Sequence, residues 1–71
     1  MAMKDWKLIE ETRSSIEYQN TKTNQRIIIY IYGFIRGKQE FDVEIESVGR
    51  KKGFKTISEA MSYARNYMRK N

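Results

Sequence analysis

The feature that most constrains this chain is the segment from Arg26 to Arg36, which reads RIIIYIYGFIR and is dense in β-branched and aromatic side chains. Such a composition is typical of a strand, in which successive side chains point to opposite faces. One face carries Ile27, Ile29, Ile31 and Ile35, and the other carries Ile28, Tyr30, Tyr32 and Phe34. A single helix covers only one face of a small sheet. The second face must therefore curl onto itself, meet a partner or stay exposed for a purpose.

The turn after this strand decides which face is buried, because a one-residue shift moves every side chain across the sheet. A three-residue loop pairs Ile31 with Ile45, whereas a two-residue turn at Gly37–Lys38 sets Tyr32 against Val43. A Gly-X pair suits a type II′ hairpin, so the second register stays open. We favour the first, because it buries the isoleucines and leaves the tyrosine hydroxyls in water.

Strands are also predicted on both sides of the central segment. Positions 5–20 alternate loosely between apolar and polar residues, which indicates one strand, with a break near residues 12–15 as an open alternative. The polar cluster at 20–24 predicts a hairpin loop. Positions 41–46 alternate strictly between apolar and acidic residues. They predict a half-buried strand with an acidic, solvated outer face.

The chain closes with a predicted helix. Before it, Gly49–Gly53 is typical of a basic turn and Phe54–Lys55 of a short final strand. Thr56 and Glu59 fit a capping box, in which the threonine hydroxyl accepts from the amide of residue 59 and the carboxylate reaches back. Apolar residues then recur at three- and four-residue steps along one helix face. They are Ile57, Ala60, Met61, Ala64, Tyr67 and Met68.

These elements predict the fold class and the domain organisation. The chain has 71 residues, and a chain this short buries only about 60% of the surface that its unfolded form exposes. We expect a single domain spanning residues 1–71. Its fold class is α+β, an antiparallel meander of three to four strands followed by one C-terminal helix packed on one sheet face.

The composition excludes most kinds of site chemistry. The chain has no Cys, His or Pro, so disulfides, zinc fingers, imidazole catalysis and thiol nucleophiles are excluded together. We expect a non-enzyme with no catalytic residue, metal, cofactor or small-molecule substrate. The apolar run at 27–35 is shorter than the roughly 17–25 residues of a membrane helix, and residues 1–7 lack the apolar stretch of a signal peptide. A cytoplasmic protein without a membrane partner is the expectation.

The net charge of +5 is concentrated in the last third of the chain. Residues 49–71 hold seven basic side chains and a single carboxylate, Glu59, whereas residues 1–48 are close to neutral. Clustered positive charge is the usual electrostatic mark of nucleic-acid binding, although it also occurs on the solvated side of a helix. The predicted nucleic-acid-binding residues are Arg50, Lys51, Lys52, Lys55, Arg65, Arg69 and Lys70.

In the favoured register, Tyr30, Tyr32 and Phe34 form an outward aromatic row. Exposed aromatic side chains on a sheet can stack on single-stranded bases. The acidic residues of the neighbouring strand repel phosphate from the same face. We therefore expect the row to form the interface of a homodimer rather than a stacking surface for bases. The alternative function is accordingly a homodimeric protein-interaction or scaffold domain.

The segment from Arg50 to Ala60 (RKKGFKTISEA) resembles the end of the arm-type DNA-binding domain of tyrosine-type integrases, with its "GF-x-T-x-x-E-A" junction between strand and helix. The resemblance concerns the C-terminal third of the chain. It implies three antiparallel strands before a helix and phosphate contacts from flanking basic residues, here Arg50, Lys51, Lys52 and Lys55. The chain departs from that family in its acidic third strand, where a groove-reading sheet is neutral or basic.

A second resemblance spans nearly the whole chain. Trp6-x-Leu8, Ile16-x-Tyr18 and Phe54-x-Thr56-x-x-Glu59-Ala60 are similar to the pattern of small stand-alone archaeal domains of uncharacterised function. This likeness implies a fold and no particular role.

Overall fold

The computed structural model describes residues 5–33 and 39–70. Within these residues, five antiparallel strands form one sheet in chain order and a single helix follows. The strands are β1 (Trp6–Glu11), β2 (Ser15–Asn20), β3 (Arg26–Ile31), β4 (Phe41–Ile45) and β5 (Gly49–Phe54), and the helix is α1 (Ile57–Lys70). The predicted α+β meander with a C-terminal helix is confirmed, but the sheet has five strands rather than three or four.

The additional strand arises because residues 5–20 form a hairpin, with the chain reversing where the sequence left a break open. The chain reverses at Thr12, whose hydroxyl oxygen accepts hydrogen bonds from the amides of Ser14 at 3.2 Å and Ser15 at 3.1 Å. Threonine and serine hydroxyls can close a turn in this way without glycine or proline. β1 therefore folds back onto β2, with Trp6 opposite Asn20.

The final strand is longer than predicted and occupies the segment where a basic turn was predicted. Gly49–Phe54 is β5, and the reversal comes earlier, where Ser47 adopts a positive φ of 70° and the amide of Val48 donates to the carbonyl of Ile45 at 3.0 Å. The prediction of a turn at 49–53 was wrong. Its basic residues belong to an edge strand instead.

The inward face of the central strand is the predicted one, but its register is not. Ile27, Ile29 and Ile31 share a face with the apolar residues of β4, and Ile31 lies opposite Phe41. The predicted pairing of Ile31 with Ile45 was wrong, because Ile45 lies opposite Ile27 and the two strands are offset by four residues from the predicted register. Phe34 and Ile35 lie outside the described residues, and so do Gly37 and Lys38 of the predicted turn.

The core lies between α1 and the face of the sheet that carries these isoleucines, here called the inner face. Ile27, Ile29 and Val43 are completely buried, and α1 contributes Ala60, Ala64 and Met68. Small alanines let the helix backbone approach the sheet closely. Trp6 closes one end of the core, with its ring edge-on to Tyr67 at 6.3 Å between centroids. In the described part of the chain, no helix has the length and apolar character needed to span a membrane.

Candidate functional site

An open groove of about 650 Å³ runs between β5 and the first turns of α1. It is called the basic groove here, because three of the predicted nucleic-acid-binding lysines line it. Its lining residues are Lys51, Lys52, Gly53, Phe54, Lys55, Ser58, Glu59 and Ser62. Ammonium groups and serine hydroxyls are both donors to anionic oxygens. With three ammonium groups against the single carboxylate of Glu59, the groove has a net positive charge and the donors that an anion needs.

Lys51 and Lys52 both line the basic groove, and β5 is irregular beside them. Val43 pairs with Lys51 and Phe41 with Phe54, so β5 has one more residue than β4 over this stretch. Gly53 takes up the irregularity with a positive φ of 84°, which glycine adopts readily. Strict strand alternation would instead place adjacent lysines on opposite faces of the sheet.

The start of α1 is fixed by the predicted capping box, with one difference. The amide of Glu59 donates to the Thr56 hydroxyl oxygen at 3.1 Å, as predicted. The Glu59 carboxylate accepts from the amide of Lys55 at 3.1 Å, one residue further back than expected. This bond holds the only carboxylate of residues 49–71 against the backbone. The helix N-terminus also contributes a partial positive charge to the groove.

The lysines of the basic groove are exposed and carry uncompensated charge. In residues 5–33 and 39–70, none of Lys51, Lys52 and Lys55 forms an ion pair with a carboxylate. Lys51 Nζ lies 5.4 Å from the ring centroid of Tyr63 on α1, an exposed and weak contact. These charges remain available for an anionic ligand.

The basic residues of α1 extend this surface. Arg65 and Arg69 are exposed and continue the three- and four-residue spacing of Ser58 and Ser62 along the helix. Lys70 lines a second, shallower groove of about 220 Å³. We call it the aromatic groove, because its other lining residues are Tyr63, Asn66 and Tyr67.

Arg50 lies apart from the other predicted binding residues. It points to the sheet face opposite α1, here called the outer face, where its Nη2 is 3.2 Å from Asp42 Oδ2 on β4. Its Nη2 also donates to the hydroxyl of Tyr32, and its guanidinium carbon lies 4.3 Å from the ring centroid of Tyr30. Arg50 is therefore committed to a local network, unlike the three lysines.

The predicted outward row is present for Tyr30 and Tyr32, whereas Phe34 lies outside the described residues. Tyr30 donates to Glu44 Oε1 at 3.0 Å and Tyr32 to Asp42 Oδ2 at 3.2 Å. Burial, followed by the bond to Glu44 and its negative charge, raises the pKa of Tyr30. The acidic face is less solvated than predicted, since Asp42 is only 5% exposed.

Four groove residues were not predicted from the sequence, namely Ser58, Ser62, Tyr63 and Asn66. A usable signal was present, because Glu59, Tyr63, Asn66 and Lys70 recur at steps of four, three and four and so share one helix flank. That flank faces β5, as the contact of Tyr63 with Phe54 shows.

The described residues contain no cluster of three carboxylates placed to hold a metal ion. In comparisons with protein families, curated proteins and solved structures, nothing matches this chain.

Proposed function

We propose that this chain is a non-enzymatic nucleic-acid-binding module that contacts mainly phosphates through the basic groove. The observation that carries the proposal is the convergence of Lys51, Lys52 and Lys55 on one open groove, where none of them forms an ion pair with a carboxylate of the described residues. Arg65 and Arg69 extend the surface along α1. Arg50, held by Asp42, is left out of the binding set.

Contacts of this kind predict a strong dependence on salt and little discrimination between sequences, because phosphate contacts release counterions and carry no base information. If the three lysines and two arginines each neutralise one phosphate, the slope of log affinity against log salt is about −4.5 on duplex DNA or about −3.5 on a single strand.

The experiment is fluorescence anisotropy of labelled oligonucleotides over a series of salt concentrations. The double variant Lys51→Ala, Lys52→Ala is expected to bind more weakly and to flatten the slope by about 1.4–1.8, the contribution of two phosphates. A matched control is Lys7→Ala, Lys22→Ala. It removes the same charge from β1 and from the β2–β3 loop, away from the groove. Equal weakening by both double variants would mean that net charge alone, and not the groove, is responsible.

A second candidate is a homodimer formed through the outer face, the interaction or scaffold role considered from the sequence. It is favoured by one observation: no described element packs over the outer face, where Ile28, Tyr30 and Tyr32 are partly exposed. Light scattering tests it against the chain mass of 8.5 kDa. Ile28→Lys is the informative variant, because Ile28 lies between Glu17 and Glu44 and a lysine there is tolerated in a monomer. A dimer is expected to dissociate in this variant, and a monomeric wild-type chain would contradict the candidate.

A further inference from the structure

Tyr63 occupies the junction between the basic groove and the aromatic groove. Its ring packs against Phe54 of β5 with 5.4 Å between centroids and an interplanar angle of 45°, and Lys51 Nζ lies 5.4 Å from its centroid. The ring is only partly buried, so some of its surface remains accessible. Lysine is flexible, and its ammonium can move from the ring to a phosphate next to it.

Tyr67 adds a second ring one helical turn further on, about 6 Å along the axis. Its position is fixed, because its hydroxyl oxygen accepts from Gln25 Nε2 at 2.8 Å and its ring meets Trp6 at an interplanar angle of 74°. Rings held in place lose little conformational entropy when a ligand binds. Asn66 is exposed between the two tyrosines and offers both an amide donor and a carbonyl acceptor.

The two grooves together present separate surfaces to the two parts of a nucleotide. The lysines line a groove in which a phosphate backbone can lie. The partly exposed aromatic rings lie beside them on one flank of α1. A base can reach an aromatic ring only when it is unstacked, as in a single strand, and stacking of this kind tolerates any base. A duplex keeps its bases stacked internally, so it can use the charges but not the rings.

The outer face offers a poorer platform for the same purpose. Arg50 lies 4.3 Å from the centroid of Tyr30, and it is held there by its ion pair with Asp42. Glu44 accepts from the Tyr30 hydroxyl and places a negative charge beside the ring. A phosphate backbone is repelled from that position.

We propose that the ligand of this surface is a single-stranded polynucleotide, with its phosphates on the basic groove and a base stacked on Tyr63 next to Tyr67. The inference rests on the nucleic-acid-binding function proposed above and specifies the form of the strand. Lys51 has two roles in this proposal. It contacts a phosphate, and its ammonium moves away from the Tyr63 ring when a base stacks there.

The test compares a labelled oligothymidine of about 16 nucleotides, an oligouridine of the same length and a blunt DNA duplex, all at low salt. The variants are Tyr63→Leu, which removes the ring, Tyr63→Phe, which keeps it, and Tyr30→Leu, the matched change on the outer face. The wild-type chain is expected to bind both single strands more tightly than the duplex. Tyr63→Leu is expected to weaken single-strand binding about five-fold or more and to leave duplex binding unchanged. Tyr63→Phe and Tyr30→Leu are expected to bind like the wild-type chain.

The outcomes separate this inference from the proposed function. The inference is overturned if the wild-type chain binds the duplex as tightly as the single strands, or more tightly. It is also overturned if Tyr63→Leu has no effect on single-strand binding. In either case, the double variant Lys51→Ala, Lys52→Ala still tests the basic groove. A loss confined to Tyr30→Leu overturns it too, because the stacking ring would then lie on the outer face. If neither strand form binds at low salt, the proposed function fails and the inference fails with it. Should Tyr63→Leu not fold, the strand preference of the wild-type chain decides.

Discussion

Arg50 of β5 and Asp42 of β4 form an ion pair on the outer face, with Arg50 Nη2 and Nε each 3.2 Å from Asp42 Oδ2. The same carboxylate accepts from the Tyr32 hydroxyl at 3.2 Å and, through Oδ1, from the amide of Gly53 at 3.3 Å. Gly53 is the residue with a positive φ at the irregularity of β5. One buried carboxylate therefore contacts β5 at Arg50 and at Gly53, on both sides of the groove residues Lys51 and Lys52.

Replacing Asp42 by alanine is expected to destabilise the fold by about 2–3 kcal/mol, because hydrogen bonds to a buried charged group contribute about 1.5–3 kcal/mol and their donors are left unpaired. Asp42→Asn keeps one acceptor oxygen and is expected to cost less. Urea unfolding measures both variants. Equal stability of Asp42→Ala and the wild-type chain would show that the network on the outer face does not stabilise β5.

The order of antiparallel strands followed by one helix, and the inward face of the sheet, could be predicted from local patterns. Phe41, Val43 and Ile45 alternate with acidic residues, which identifies the buried face of β4 whatever its register. The capping box at Thr56 likewise needed only neighbouring residues. Such patterns depend only on the spacing of residues within one segment. They therefore stay correct when the pairing between segments is predicted wrongly.

The register between β3 and β4 was not predicted, because the apolar run continues to Ile35 and Gly33, two residues after the end of β3, was interpreted as part of the strand. The separation of Arg50 from Lys51 was missed for a related reason. Adjacent residues in a turn can share a surface, but adjacent residues in a strand point to opposite faces. Only the observation that Gly49–Phe54 is a strand divides the basic segment between the two faces.

Ile29 lies in the middle of β3 and has no exposed surface in the hydrophobic core. Ile29→Ala is expected to cost about 2–5 kcal/mol, since it removes buried carbon atoms and leaves a cavity under α1. Ile9→Ala is the matched control. Ile9 lies at the irregularity of the edge strand β1 with 46% of its surface exposed, and its replacement should cost much less. Chemical denaturation of both variants provides the measurement, and similar losses for the two would contradict this assignment of the core.

The helix cap gives a prediction on α1. Thr56→Ala removes the acceptor for the amide of Glu59 and is expected to lower the free energy of unfolding by about 1 kcal/mol. Thr56→Ser keeps the hydroxyl and should restore most of the loss. Thermal unfolding followed by far-UV circular dichroism compares the three chains. If serine and alanine have the same effect, the loss comes from the threonine methyl group and not from the cap.

The stability of the fold is expected to depend on pH through ionisation of the Tyr30 hydroxyl. Its pKa is raised above the ordinary value of 10.0, first by burial and then by the hydrogen bond to Glu44, although the charge of Arg50 acts in the opposite direction. Folding therefore favours the neutral phenol. The stabilisation is complete below pH 10, the pKa of the unfolded chain, and it is lost as the pH rises through the higher pKa of the folded chain. Tyr30→Phe removes this ionisation, so its stability should fall less steeply than that of the wild-type chain above pH 10. Urea unfolding of both chains across this range makes the comparison, because the two chains differ only at residue 30. Parallel curves would show that the environment of Tyr30 does not distinguish its two protonation states.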